Sequence, residues 1–421
     1  MQPDEVLVGS APLEGLVVAD FSRVLAGPLL TMTLADLGAR VIKVERPGAG
    51  DDTRAWGPPW SATGATYFEA VNRNKESVTL DLREPGDLKL ARELATRADV
   101  MVENFKAGGM DSLGLGYESL REDNPGLVYC SITGFGTSGG ASLPGYDFVV
   151  QALGGLMHVT GERDGDPMKV GVALVDVLTA KDGAIGVLAA LRERERTGVG
   201  RRIDVNLLSS LQASLVNQVQ ANIGAGVEPG RLGNVHPSIS PYQTLRASDG
   251  PFAVAIGNDG QFRAFCAALG LDELPTDPRF ATNPDRVANR AALDALCQPV
   301  LDTRTAAEWE ERLRAARVPV GRVNTIGEGL AFAEELGLEP VIDLHDREGL
   351  VVGAGVRHPA TFTPSLPRRA DAPPALGADS DAVRAWLSTA ENAGTPSAPA
   401  TPDRFASPPS DRTDHDAKGT S

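Results

Sequence analysis

Over the first 130 residues, short apolar runs alternate with longer amphipathic stretches. Leu16 to Asp20 (LVVAD) reads as a strand; Gly27 and Pro28 then open a helix that runs through Leu37, and Gly38 ends it. Arg40 to Glu45 (RVIKVE) is the next strand. The pattern recurs in Val78–Leu82, a helix over Leu88–Ala98, Val100–Val102 and, after another helical stretch, Leu127–Thr133. Strand, helix and strand at this spacing imply parallel pairing, so the fold class is α/β with an open sheet. Asp176–Arg196 carries the longest helical pattern, stopped by Gly198. Gly, Pro and polar residues over Gly224–Pro241 read as an interdomain linker. Beyond it lie a strand at Phe252–Ile256 and helices near Gln261–Leu269 and Ala306–Ala316. A closing segment begins near residue 330, and the Pro-, Ser-, Thr- and Asp-rich stretch after Ala390 should be disordered.

Composition narrows the partners. Forty Lys and Arg against 56 Asp and Glu give a net charge of −16. A chain this acidic repels phosphate backbones and anionic lipid, so no nucleic acid and no membrane surface is expected as a partner. Any anionic ligand needs a local cluster of cations. Cys130, Cys266 and Cys297 are odd in number and unpatterned, which argues against a disulfide framework or a CxxC zinc site. The five histidines show no metal-ligand spacing, so no metal is expected. Neither a signal peptide nor an apolar run near the roughly 20 residues of a membrane span is visible, so a cytoplasmic location is expected.

Ligands of such sheets bind outside the carboxyl ends of the strands. The usual nucleotide fingerprints are missing: Pro229 spoils the pattern begun by Gly224-Ala225-Gly226, and no GxxxxGK[ST] occurs. Gly136-Thr137-Ser138-Gly139-Gly140 matches a nucleophile elbow formally, but ASLPG follows where a helix must start, so a glycine loop is the better reading. Lys43, Arg46 and Arg54 gather cations after the second strand. They suit a phosphorylated ligand or, equally, local ion pairs with Glu45, Asp51 and Asp52. Leu80-Asp81-Leu82-Arg83 and Asn104-Phe105-Lys106 end two further strands in the same way, which tilts the balance toward an anion. Asp176 stands between an apolar run and a long helix. It is either a helix-end carboxylate or a nucleophile kept ionised in a partly dry pocket, and periodicity does not choose.

Taken together, LEGLVVADFSRVLAGP, LADLGARVIKVERPGAGDDTR, VNRNKESVTLDL, ADVMVENF, SITGFG, GYD and KVGVALVDVLT resemble the family III CoA-transferases. That group includes formyl-CoA transferase, carnitine CoA-transferase and the α-methylacyl-CoA racemases. The likeness runs from about residue 13 to about residue 385. It implies a large Rossmann-like α/β domain with an open parallel sheet, a smaller inserted α/β domain and an interlocked homodimer. Mapped here, residues 1–227 and the return segment 331–390 make the large CoA-binding domain, 228–330 the small one, and 391–421 a disordered tail. By the same resemblance Asp176 is the catalytic aspartate. Arg46, Leu80, Arg83, Asn104, Phe105 and Lys106 hold coenzyme A, Tyr146 lies in a loop facing the site, and Gly257, Asn258, Asp259, Gly260 and Gln261 form a loop over the reacting carboxylate.

The departures from the family pattern also inform the reading. Leu25 replaces the glutamine of formyl-CoA transferase, and Ser112 replaces a CoA-contacting arginine. Racemase members have a catalytic histidine where Tyr146 stands, and racemisation needs an acid and a base on opposite faces, so that alternative is disfavoured. A non-catalytic CoA-binding dimer, with Asp176 a mere helix cap, is the other alternative. RPGAGDDTRAWGPP, GLMHVTGERDGDP, NLLSS and the segment from Arg231 to Gln243 look most like glutarate- and malate-type transferases. Succinyl-CoA is therefore the expected donor and a C4–C6 dicarboxylate the acceptor. Arg73, Arg231 and His236 are candidate anchors for its distal carboxylate, although Arg231 and His236 could equally tie down the linker.

Overall fold

The computed structural model describes residues 11–389 apart from Arg368, so the tail expected beyond residue 390 lies outside the described residues. Six parallel strands form the main sheet: β1 (Val17–Asp20), β2 (Arg40–Glu45), β3 (Lys75–Thr79), β4 (Val100–Glu103), β5 (Val128–Thr133) and β6 (Arg202–Asn206). Their order is β3-β2-β1-β4-β5-β6, so the winding reverses between β1 and β4. A crevice opens at such a reversal, outside the carboxyl ends of the two strands.

Side chains alternate across these strands, and both faces are buried. Val18, Val41, Val100, Val128 and Cys130 point into one core with Leu30 and Leu34 of α1 (Ala26–Asp36) and Val187 of the long helix Leu174–Thr197. Ala19, Ile42, Val78, Met101 and Tyr129 point into the other, against Ala91, Leu94 and Ala95 of helix Pro85–Arg97. Burial on both sides turns the strands into nearly continuous apolar runs, which is why they stand out in the sequence. Edge strand β3 is covered rather than exposed: Asp379 accepts from the Ser77 amide at 2.9 Å, and the Asn74 side chain accepts from the Asp371 amide at 2.8 Å.

A second, antiparallel sheet comprises β7 (Tyr242–Arg246), β8 (Pro251–Ala255) and β9 (Val320–Arg322). It has its own core, with Phe252, Phe262, Phe265, Trp309 and Leu313 fully buried or nearly so. Hairpin β10–β11 (Val341–His345, Val351–Val356) follows. No helix among the described residues is long and apolar enough to cross a membrane.

Candidate active site

Asp176 sits in the first turn of helix Leu174–Thr197, whose N-cap Ala173 has no capping side chain. The missing cap comes from another element. Asp147, first residue of helix Asp147–Leu153, accepts from the Val175 amide at 2.7 Å and the Asp176 amide at 3.3 Å. Gln151 donates to the same carboxylate at 2.6 Å, locking it in place. One buried carboxylate thus satisfies two orphan donors of the long helix and fixes the backbone of the second carboxylate. Burial, and then the negative charge of Asp147, push Asp176 up to about 7. The carboxyl expected to be kept ionised is therefore only partly so at neutral pH. A helix end favours the anion, but desolvation and a like charge outweigh it here.

Asp176 faces a cleft of about 700 Å³ at the sheet's reversal point. Its walls bring Leu25 and Arg23 together with Asn104, Phe105 and Lys106 from the end of β4, and Tyr146 with glycines 134, 136, 140 and 145. Lys106 is exposed, and no hydrogen bond or ion pair among the described residues reaches its ammonium. Tyr146 is 61% exposed at the N-cap of helix Asp147–Leu153. Tyr67, which the sequence did not single out, stands close to the carboxylates. Burial, then the charges of Asp176, Asp147 and Asp51, push its phenol up to about 12, so it remains a proton donor. The edge of its ring meets Trp56 at 5.2 Å. Ser138 lies in the glycine loop, with turns rather than a helix after it, as its context required.

The cations after β2 divide into two groups. Lys43 is fully buried against Asp51 at 2.9 Å, and Arg54 grips Glu45 at 2.7 and 2.8 Å while lying over Phe68. These two are parts of the fold. Arg46 stays exposed, paired with Asp52, which itself lines the cleft. Arg83 is exposed and paired with Asp81 at 2.7 Å, while the Leu80 side chain is buried in the sheet core, leaving only its backbone to face a ligand. Arg73, considered as an acid anchor for want of a helical partner, has a tertiary one: it pairs with Asp36 at 2.5 and 3.0 Å, away from the cleft.

The remaining predicted residues do not line this cleft. Arg231 donates to the Gly165 and His158 carbonyls at 3.1 and 3.3 Å, and His236 stacks on Tyr242 with ring centres 5.0 Å apart. In the Gly257–Gln261 loop, Asn258 caps the helix Asp259–Leu269 by accepting from the Gln261 amide, Gln261 accepts from the Gly257 amide, and Asp259 pairs with buried Arg286. The three cysteines are buried, and burial pushes each thiol up to about 12, so none is a reactive thiolate.

Comparison with known proteins bears on this arrangement. A family model described as CoA-transferase family III matches residues 13–380. The chain belongs to CoA-transferase family III. Among its relatives, the succinate–glutarate CoA-transferase of Agrobacterium fabrum is 44% identical over 398 residues, covering 91% of this chain and 98% of that one. The human succinyl-CoA:glutarate CoA-transferase is 42% identical, covering 87% of this chain and 81% of that one. The crystal structure of a CAIB/BAIF family protein from Brucella suis superposes with a TM-score of 0.81 at 45% identity, over 90% of this chain and all of the other. The expected family and its α/β architecture with a parallel sheet are therefore correct.

Proposed function

We propose that this family III CoA-transferase moves CoA from succinyl-CoA to a C4–C6 dicarboxylate, with Asp176 as the covalent relay. The observation that carries the reading is a half-buried carboxylate, its backbone held by Asp147, facing a cleft with an exposed cation, Lys106, in a chain of this family. A carboxylate oxygen of Asp176 attacks the thioester carbonyl, the C–S bond breaks, and CoA thiolate and a mixed anhydride result. The thiolate then attacks the Asp176 acyl carbon, the anhydride C–O bond breaks, and the donor leaves as a free acid. An acceptor carboxylate attacks the aspartyl-CoA thioester, and the same steps run in reverse. Each step exchanges one activated acyl bond for another, so no external energy source is consumed. The neutral phenol of Tyr67 supplies a hydrogen-bond donor on the Asp176 side, and Lys106 and Arg46 offer charge to the phosphates of CoA.

The substrate pair is supported by relatives at 42–44% identity whose names specify glutarate with succinate or succinyl-CoA. We also read the chain as two domains in the bounds given above, which the separate core around β7–β9 supports. An interlocked homodimer is part of the proposal. Helices Val216–Ala225 and Ile326–Glu335 bury no residue in the single chain, and Ile223 and Ile326 are 72% and 86% exposed. Apolar surface on that scale needs a cover. The test is a donor–acceptor matrix: succinyl-, acetyl-, oxalyl- and glutaryl-CoA against mono- and dicarboxylic acids. Succinyl-CoA with a C4–C6 dicarboxylate should turn over fastest. Faster turnover of monocarboxylates would rule out the substrate class, and deuterium wash-in at the α-carbon without any acceptor would favour the racemase instead.

A further inference from the structure

The turn between β1 and α1, Ser22-Arg23-Val24-Leu25, carries an unusual backbone. Val24 has φ +72°, a left-handed conformation that a β-branched residue adopts only at a steric cost. Immediately after it, Leu25 and Ala26 line the same cleft as Asp176. The surroundings account for the strain being tolerated. The Ser22 amide donates to Asp20 at 3.0 Å, and the Ser22 carbonyl accepts from the Lys43 ammonium at 2.9 Å. The Asn104 side chain accepts from the Arg23 amide at 2.9 Å and donates to the Arg23 carbonyl at 2.7 Å. Asp51 accepts from the Val24 amide at 3.2 and 3.3 Å, and pairs with Lys43 at 2.9 Å.

Five successive backbone groups are thus held by side chains from the end of β1, from within β2, from just after β4 and from the loop after β2. Lys43 and Asp51 are fully buried. An ion pair in that position is costly to desolvate, and a hydrophobic pair would serve bulk stability as well. What a hydrophobic pair would not supply is a carboxylate that grips one amide and an ammonium that grips the carbonyl two residues before it. Gly27 closes the turn from the other side, since a Cβ there would collide with Ser22.

We propose that Asp51 and Lys43 are positioning residues that hold Val24 in its left-handed conformation, and so aim Leu25 and the start of α1 at the cleft opposite Asp176. Asn104 shares this work by bracketing Arg23, whatever contact it also makes with CoA. The inference rests on the transferase reading for what the turn is aimed at, though not for the coupling between Asp51 and Val24. Glycine adopts the left-handed conformation without the steric cost. Val24→Gly should therefore make the turn far less dependent on Asp51.

The test is a double-mutant cycle of Asp51→Asn and Val24→Gly in the full chain. It is read by the rate at which succinyl-CoA loads a covalent adduct on Asp176, and by amide hydrogen exchange over residues 22–27. Both Asp51 oxygens are in use, one by Thr53 and the other by Lys43, so the single acceptor oxygen of an Asn cannot serve both and the grip on Val24 is lost. Displacements of about an ångström at a reacting centre cost about 100-fold, so Asp51→Asn should slow loading by about that factor. In the Val24→Gly background the same substitution should slow it less than about fivefold, and the rise in exchange should shrink in parallel. Equal effects of Asp51→Asn in both backgrounds would overturn the proposal, since a purely structural ion pair is indifferent to residue 24. If the wild-type chain loads no adduct, the transferase reading fails and the exchange cycle alone decides the positioning claim. If Asp51→Asn does not fold, Asn104→Ala, which strands no buried charge, takes its place in the cycle, read by amide exchange over residues 22–27 alone, with the same two outcomes.

Discussion

Replacing Asp147 by Asn separates two things that this carboxylate does. It caps the long helix through the Val175 and Asp176 amides, and its charge bears on Asp176. An Asn oxygen keeps the cap while removing the charge. Asp176 is raised from 3.8 to about 7, with burial the larger cause and Asp147 the smaller. That total corresponds to about 4 kcal/mol, so the charge of Asp147, the smaller of the two causes, accounts for at most about 2 kcal/mol. The sign follows directly. Removing a neighbouring negative charge favours the anion, so the acidic limb of kcat/KM against pH should move down from near 7, by less than half of the rise that folding imposes. Asp147→Ala removes the cap as well, and should cost a further 1–2 kcal/mol or so of stability, because two helix amides lose their acceptor. The assay is a pH profile of acyl-CoA turnover at constant ionic strength, with thermal unfolding in parallel. An acidic limb that stays at 7 in Asp147→Asn, or moves upward, would refute the electrostatic argument. Equal unfolding temperatures for the Asn and Ala variants would refute the capping argument.

Other consequences can be checked alongside. Because folding raises the Asp176 value, its contribution favours the native state fully below about 4 and is lost as pH rises through 7. Asp176→Asn should accordingly stabilise the fold by about 2–4 kcal/mol at pH 8 and by little at pH 4, read by denaturant unfolding at both values. Tyr67→Phe removes a protonated donor near Asp176 and should lower kcat by about 100-fold with a smaller change in KM. Equal kcat values for the variant and the wild type would take Tyr67 out of the chemistry. Lys106→Ala removes an exposed cleft cation and should raise the KM for acyl-CoA about 10-fold with kcat nearly unchanged.

The parallel sheet was legible because both of its faces are buried, and β2 coincides to the residue with RVIKVE. Helix Leu174–Thr197 was legible from its Gly198 stop, which adopts φ +71° at the C-cap. The misses have physical causes. The expected strand Val78–Leu82 starts earlier, at Lys75, because Lys75 is buried against Asp20 and Asn72 and so behaves as an interior residue despite its charge. β6 (RIDVN) is an edge strand with polar, exposed positions and offers no apolar run. The site was less legible than the fold. Asp176 stood out only through family likeness, and although GYD is among the matching motifs, nothing local marks Asp147 as the residue that holds it from 29 positions away. Nor does spacing reveal that Lys43 and Arg54 are consumed within the fold while Arg46 and Lys106 remain at the surface.

The central claim is that Asp176 carries the transferred group, and the most direct measurement is the mass of the protein itself. Incubated with succinyl-CoA and no acceptor, then treated with hydroxylamine, the wild-type chain should gain a single hydroxamate, and peptide mapping should place it on Asp176. Asp176→Ala should gain none, should lose transfer altogether, and should still bind CoA. An unmodified wild-type chain, a label on any other residue, or substantial transfer by Asp176→Ala would contradict the account.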